Sequence, residues 1–124
     1  MRVLVVDDDP DNVLILSIAL RREGYEVVST TNGLEALDLA KKAAPDLVIL
    51  DILMPGHDGI EVGMLLKNDI ATSQIPIIFL TALKSPHDRD DVLSVGPSAN
   101  TVIGKPIDSR ELFGAIRQVI RRAA

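Results

Sequence analysis

Acids, one hydroxyl and one amine stand at the ends of short apolar runs in this 124-residue chain. Asp7 and Asp8 follow Val3-Leu4-Val5-Val6, and Asp51 closes Leu47-Val48-Ile49-Leu50. Thr81 closes Pro76-Ile77-Ile78-Phe79-Leu80, and Lys105 lies just beyond Thr101-Val102-Ile103. Three carboxylates brought together repel one another unless a cation neutralises them. The donors are all oxygens, with no cysteine in the chain and no histidine in the pattern. They suit a hard ion, and Mg²⁺ is favoured because it accepts a few carboxylates, keeps waters and bridges to phosphate oxygens. An aspartate beside such an ion can attack a phosphoryl donor and form an aspartyl phosphate. The Lys105 ammonium would offset charge on the transferring oxygens, and the Thr81 hydroxyl could donate to one of them. Each residue alone has a plainer reading: a helix cap, a strand-end hydroxyl, a solvated lysine. The shared placement at strand ends makes the chemical reading the better one.

That placement depends on alternating strands and helices. The run 3–6 lacks polar alternation, which predicts a strand buried on both faces. Asp9 and Pro10 predict the cap and first position of a helix running to about Arg22, stopped by Gly24. Glu26–Thr30 reads as a second strand. Asn32 with Glu35 three residues on resembles a capping box opening a helix around Leu34–Ala43, which Pro45 ends. After the third strand, the turn-rich stretch 54–59 leads to a helix over about Ile60–Asn68, with Gly59 expected to serve a turn needing positive φ. Ser85-Pro86 starts a fourth helix reaching about Val95. Asp108 and Glu111 bracket the start of the last helix, whose Leu112, Phe113, Ile116, Val119 and Ile120 share one face. Five β-α units imply a parallel sheet with right-handed crossovers and helices on both faces. Ligands of such sheets bind beyond the carboxyl ends of the strands, where all the polar residues named above fall.

Composition narrows the classes further. Apolar residues make up 47% of the chain and aromatics 2%, so the core must be built from Val, Ile, Leu and Ala. A net charge of −5 argues against a direct nucleic-acid surface. Without cysteine there are no disulfides or thiolate metal sites. No signal-peptide anatomy or membrane-length apolar run is visible, so a single cytoplasmic domain over residues 1–124 is expected.

The segments Leu4-Val5-Val6-Asp7-Asp8-Asp9-Pro10, 46–59 (DLVILDILMPGHDG), Leu80-Thr81-Ala82 and Lys105-Pro106 together resemble the receiver domain of two-component response regulators over essentially the whole chain. The resemblance implies a doubly wound, flavodoxin-like sheet of order 2-1-3-4-5. It also implies Asp51 as phosphoacceptor, with Asp8 and Asp51 contacting Mg²⁺, Asp7 holding a metal-bound water, and the Leu53 carbonyl as a further ligand. Thr81 and Lys105 would bind phosphoryl oxygens, Ala82 would leave room for them, and the Lys105–Pro106 peptide is expected to be cis. The donor implied is a histidine kinase or phosphotransfer protein. The signal would leave through the fourth helix, fifth strand and fifth helix, to a partner or attached domain the residues do not name. A homodimer through that face is one arrangement the resemblance allows.

Val102 departs from the family, which usually carries an aromatic residue there. The segment 95–100 (VGPSAN) is also atypical. The resemblance places Leu53 and Leu83, two positions after Asp51 and Thr81, near the path of the hydrolytic water; both are apolar and would not orient it, which predicts slow loss of phosphate. His57 and His87 lack a second ligand at useful spacing. A Mg²⁺-dependent phosphohydrolase with an aspartate nucleophile is the main alternative, but its usual second acid would fall at Leu53. A flavin-binding module is disfavoured by the lack of aromatics, and a receiver that is never phosphorylated by the complete acid–Thr–Lys set. The expectation is a switch, not an enzyme, with no output element after the fifth strand's helix.

Overall fold

A computed structural model describes residues 1–54, 57–81, 101–104 and 108–123, with the backbone alone at 53–54, 57–58, 81, 101–102, 104 and 121–123. A five-stranded sheet lies at its centre. Strand β1 (Arg2–Val6) is flanked by β2 (Glu26–Thr30) and β3 (Leu47–Asp51), and all pairings are parallel. A two-stranded antiparallel hairpin follows, β4 (Leu53–Met54) with β5 (His57–Asp58). Strand β6 (Ile77–Thr81) pairs with β3, and β7 (Thr101–Gly104) pairs with β6. The order β2-β1-β3-β6-β7 is the 2-1-3-4-5 arrangement expected from the sequence.

Helices cover both faces. Helix α1 (Pro10–Arg22) and the C-terminal helix (Ser109–Ala123) bury Leu16, Leu20, Leu112, Ile116 and Val119 against Val3, Val5, Ile49 and Leu80. Helices α2 (Ala36–Ala43) and α3 (Gly59–Asn68) close the other face over Leu4, Val6, Leu50 and Phe79. Odd and even residues of β1 and β3 thus enter opposite cores, as the period of a strand requires. Every residue of β3 is buried, which explains its unbroken apolar run.

The predicted punctuation is found at α1. Asp9 caps it, its side chain accepting from the Asp11 amide at 2.9 Å, with Pro10 at the first position. Beyond its end, Gly24 has φ 92°, a conformation glycine adopts without steric cost. Asp108 caps the last helix through the Arg110 amide at 2.8 Å.

Two local expectations are corrected. A 3₁₀ turn over Gly33–Glu35 precedes α2, and Asn32 caps that turn through the Leu34 amide. Glu35 does not reach back to Asn32 as a capping box would; it accepts from the Thr30 hydroxyl at 3.0 Å, which itself accepts from the Asn32 amide. Gly59 does not have positive φ. It is helical, and its need for glycine is steric: an added β-carbon would lie 2.6 Å from Ile52 Cα and closer still to the Asp51 carbonyl oxygen. The predicted fourth helix near 85–95 lies outside the described residues.

Candidate functional site

The C-terminal ends of β1 and β3 are adjacent because Val6 pairs with Leu50 in parallel register. The next residues on the two strands, Asp7 and Asp51, therefore emerge side by side. Asp7 is fully buried and Asp51 is 2% exposed, while Asp8 is half-buried beside them. One carboxylate oxygen from each of Asp7, Asp8 and Asp51 lies within 4.8 Å of the others. The three acids named from the sequence thus converge.

The surrounding backbone fixes them. Asp7 Oδ1 accepts from the Asp9 amide at 3.0 Å, and the Asp7 amide donates to the Thr30 carbonyl at 3.3 Å. After Asp51, the Ile52 amide donates to the Leu80 carbonyl at 2.9 Å, and the Ile52 carbonyl accepts from the Gly59 amide at 2.8 Å. The chain leaving β3 is thus held by β6 on one side and by the start of α3 on the other. Sequence reasoning singled out Gly59 for the wrong reason and passed over Thr30; neither close approach nor a relayed hydrogen bond has a local sequence signature.

Thr81 ends β6, one residue past the pairing of Leu80 with Asp51, so its backbone borders the same rim. It pairs with Gly104, the residue before Lys105. The Leu53 backbone lies in β4, two residues beyond Asp51. Val102 sits on β7 opposite Phe79. Lys105, Pro106, Ala82, Leu83 and His87 lie outside the described residues, as does the peptide expected to be cis. His57 falls in β5 by its backbone.

Three close oxyanions, two of them withdrawn from water, form a donor set for a hard, small cation. No sulfur or imidazole competes within the group, so its chemistry fits Mg²⁺ better than a thiophilic metal. No helix among the described residues is long and apolar enough to cross a membrane.

Comparison with known proteins agrees with this arrangement. The family model described as response regulator receiver domain matches residues 3–117. Response regulator PleD of Caulobacter vibrioides is 42% identical over 120 residues, covering 97% of this chain and 26% of PleD. DNA-binding response regulator MtrA of Mycolicibacterium smegmatis is 39% identical over 121 residues, covering 98% of this chain and 51% of MtrA. The chain thus spans about a quarter to a half of these relatives' lengths. Among solved structures, a putative response regulator from Chloroflexus aurantiacus superposes with a TM-score of 0.89 at 33% identity, covering 98% of each chain.

Proposed function

The chain belongs to the response regulator receiver domain family, the phosphorylation-activated switches of two-component systems, and from that premise we propose that Asp51 is the residue phosphorylated. The observation that carries the assignment is the carboxylate trio, within 4.8 Å, at the carboxyl ends of β1 and β3. An Asp51 carboxylate oxygen forms the new bond to phosphorus as the donor's bond to phosphorus breaks. The leaving group departs with the electron pair. From a histidine kinase or phosphotransfer protein, that leaving group is an imidazole.

Asp8 and Asp51 would hold Mg²⁺ directly, Asp7 would hold one of its waters, and the Leu53 carbonyl would add a ligand. The bound ion supplies charge neutralisation for the crowded carboxylates and the transferring oxygens. Thr81 and Lys105 bind phosphoryl oxygens in this reading, the hydroxyl as donor and the ammonium as a point charge. Burial of Asp7 and Asp51 strengthens every such interaction by excluding water.

Phosphorylation biases a two-state equilibrium, and the output leaves through the face that includes β7 and the C-terminal helix. Because relatives such as the DNA-binding regulator MtrA are about twice as long, an attached output domain is the partner proposed for that face. A cytoplasmic setting follows from the proposed kinase donor.

Incubation with a small acyl phosphate and Mg²⁺, read by intact mass, tests the chemistry. One phosphoryl group should be added to the wild-type chain and none to Asp51→Asn. Phosphorylation of Asp51→Asn to the wild-type extent would refute the assignment. Turnover of generic phosphate esters would favour the phosphohydrolase instead.

A further inference from the structure

The relay that replaces the expected capping box runs straight to the acidic rim. The Thr30 hydroxyl donates to Glu35 Oε2 at 3.0 Å and accepts from the Asn32 amide at 3.0 Å. Its proton has a second, longer acceptor in the Asn32 carbonyl at 3.4 Å, so Glu35 takes the better bond. Thr30 is the last residue of β2 and is nearly buried, and its carbonyl receives the Asp7 amide. A single side chain therefore ties the turn opening α2 to the strand end beside Asp7. Valine at position 30 would keep the shape and the sheet pairing while leaving the Asn32 amide without this acceptor and releasing Glu35.

We propose that Glu35 and Thr30 are positioning residues for the acidic rim: their hydrogen bond fixes the end of β2 whose carbonyl holds the Asp7 backbone. The proposal rests on the reading of Asp7, Asp8 and Asp51 as a Mg²⁺ site. Neither residue touches the ion or the phosphoryl group in this account. Their contribution is to keep Asp7 oriented, as partners of metal-binding groups generally do.

The test is a Mg²⁺ titration of the full chain followed by amide chemical shifts, with hydrogen exchange of the Asp7 amide and urea midpoints measured in parallel. Thr30→Val and Glu35→Ala should weaken Mg²⁺ binding about tenfold, at the low end for outer partners of metal ligands. The Asp7 amide should exchange faster in both. Thr30→Ser and Glu35→Gln retain the hydroxyl and an acceptor oxygen and should titrate like the parent. A simple loss of stability would lower the urea midpoint without separating the conservative from the disruptive variants. Glu35 is exposed, so Glu35→Ala keeps the test open should Thr30→Val fail to fold. Unchanged Mg²⁺ affinity in Glu35→Ala would overturn the proposal and leave the metal site standing. Equal weakening in Glu35→Gln and Glu35→Ala would overturn it too, assigning the effect to charge. A parent chain without Mg²⁺-dependent shifts would remove the metal site and the proposal together.

Discussion

Gly59, the first residue of α3, is packed against the backbone of Asp51 so closely that a β-carbon there would overlap the Asp51 carbonyl oxygen. The neighbouring contact, 2.6 Å to Ile52 Cα, is also with backbone, which cannot swing aside as a flexible side chain would. Helix α3 therefore acts as a stop behind the end of β3. Gly59→Ala must push the helix and the strand end apart. A loss of about 1–3 kcal/mol, typical of overpacking, is expected in urea unfolding. Phosphorylation by an acyl phosphate should slow at the same time. An alanine variant with unchanged stability and rate would contradict the packing described.

Lys67 supplies a pH-dependent test. It is 9% exposed, its Nζ donates to the Ile75 carbonyl at 2.6 Å, and burial lowers its pKa from the ordinary lysine value to about 8. The unfolded chain then binds more protons than the folded one between pH 8 and the ordinary value of 10.5. The Lys67 contribution should be fully present above that window and fall away as pH drops through 8. Replacement by methionine should flatten this part of the stability profile. Urea midpoints across the window, for wild type and Lys67→Met, check the sign; parallel profiles would contradict it.

Asp9 tests the entry to α1. Its side chain satisfies the Asp11 amide at the helix start, and Asp9→Ala should cost about 1 kcal/mol. Because the Asp9 amide also donates to Asp7 Oδ1, a backbone contact the substitution retains, Mg²⁺ binding should change little. Paired unfolding and titration curves would separate the two effects. A large loss of Mg²⁺ affinity would show that the cap and the site are coupled.

The strand order, the carboxylate trio and the α1 cap were legible because each follows from a strong local signal. Val3–Val6 and Leu47–Leu50 are unbroken apolar runs, and the acids after them must meet once the strands pair in parallel. The Glu35 contact was not legible: the pattern Asn32-x-x-Glu35 fits a capping box, but a hydroxyl two residues before Asn32 competes for the carboxylate. Gly59 was misread because glycine signals either positive φ or close approach, and only tertiary packing decides between them.

Phosphoryl lifetime is a further prediction, carried by the family resemblance at Leu53 and Leu83. Neither leucine can hydrogen-bond a hydrolytic water. The wild-type phosphoprotein should therefore decay more slowly than a Leu53→Asn, Leu83→Arg variant. Decay followed by intact mass after donor removal measures the difference. A variant whose phosphate lasts as long or longer would contradict the prediction.

The identity of the modified atom can be read directly. An acyl phosphate on aspartate is reduced by borohydride to homoserine, whereas phosphate on a hydroxyl or imidazole is not. After treatment with acyl phosphate and Mg²⁺, then borohydride and peptide mass spectrometry, the conversion should fall at position 51 and at no other aspartate. Conversion at Asp7 or Asp8, or phosphate on a side chain that resists reduction, would contradict the account.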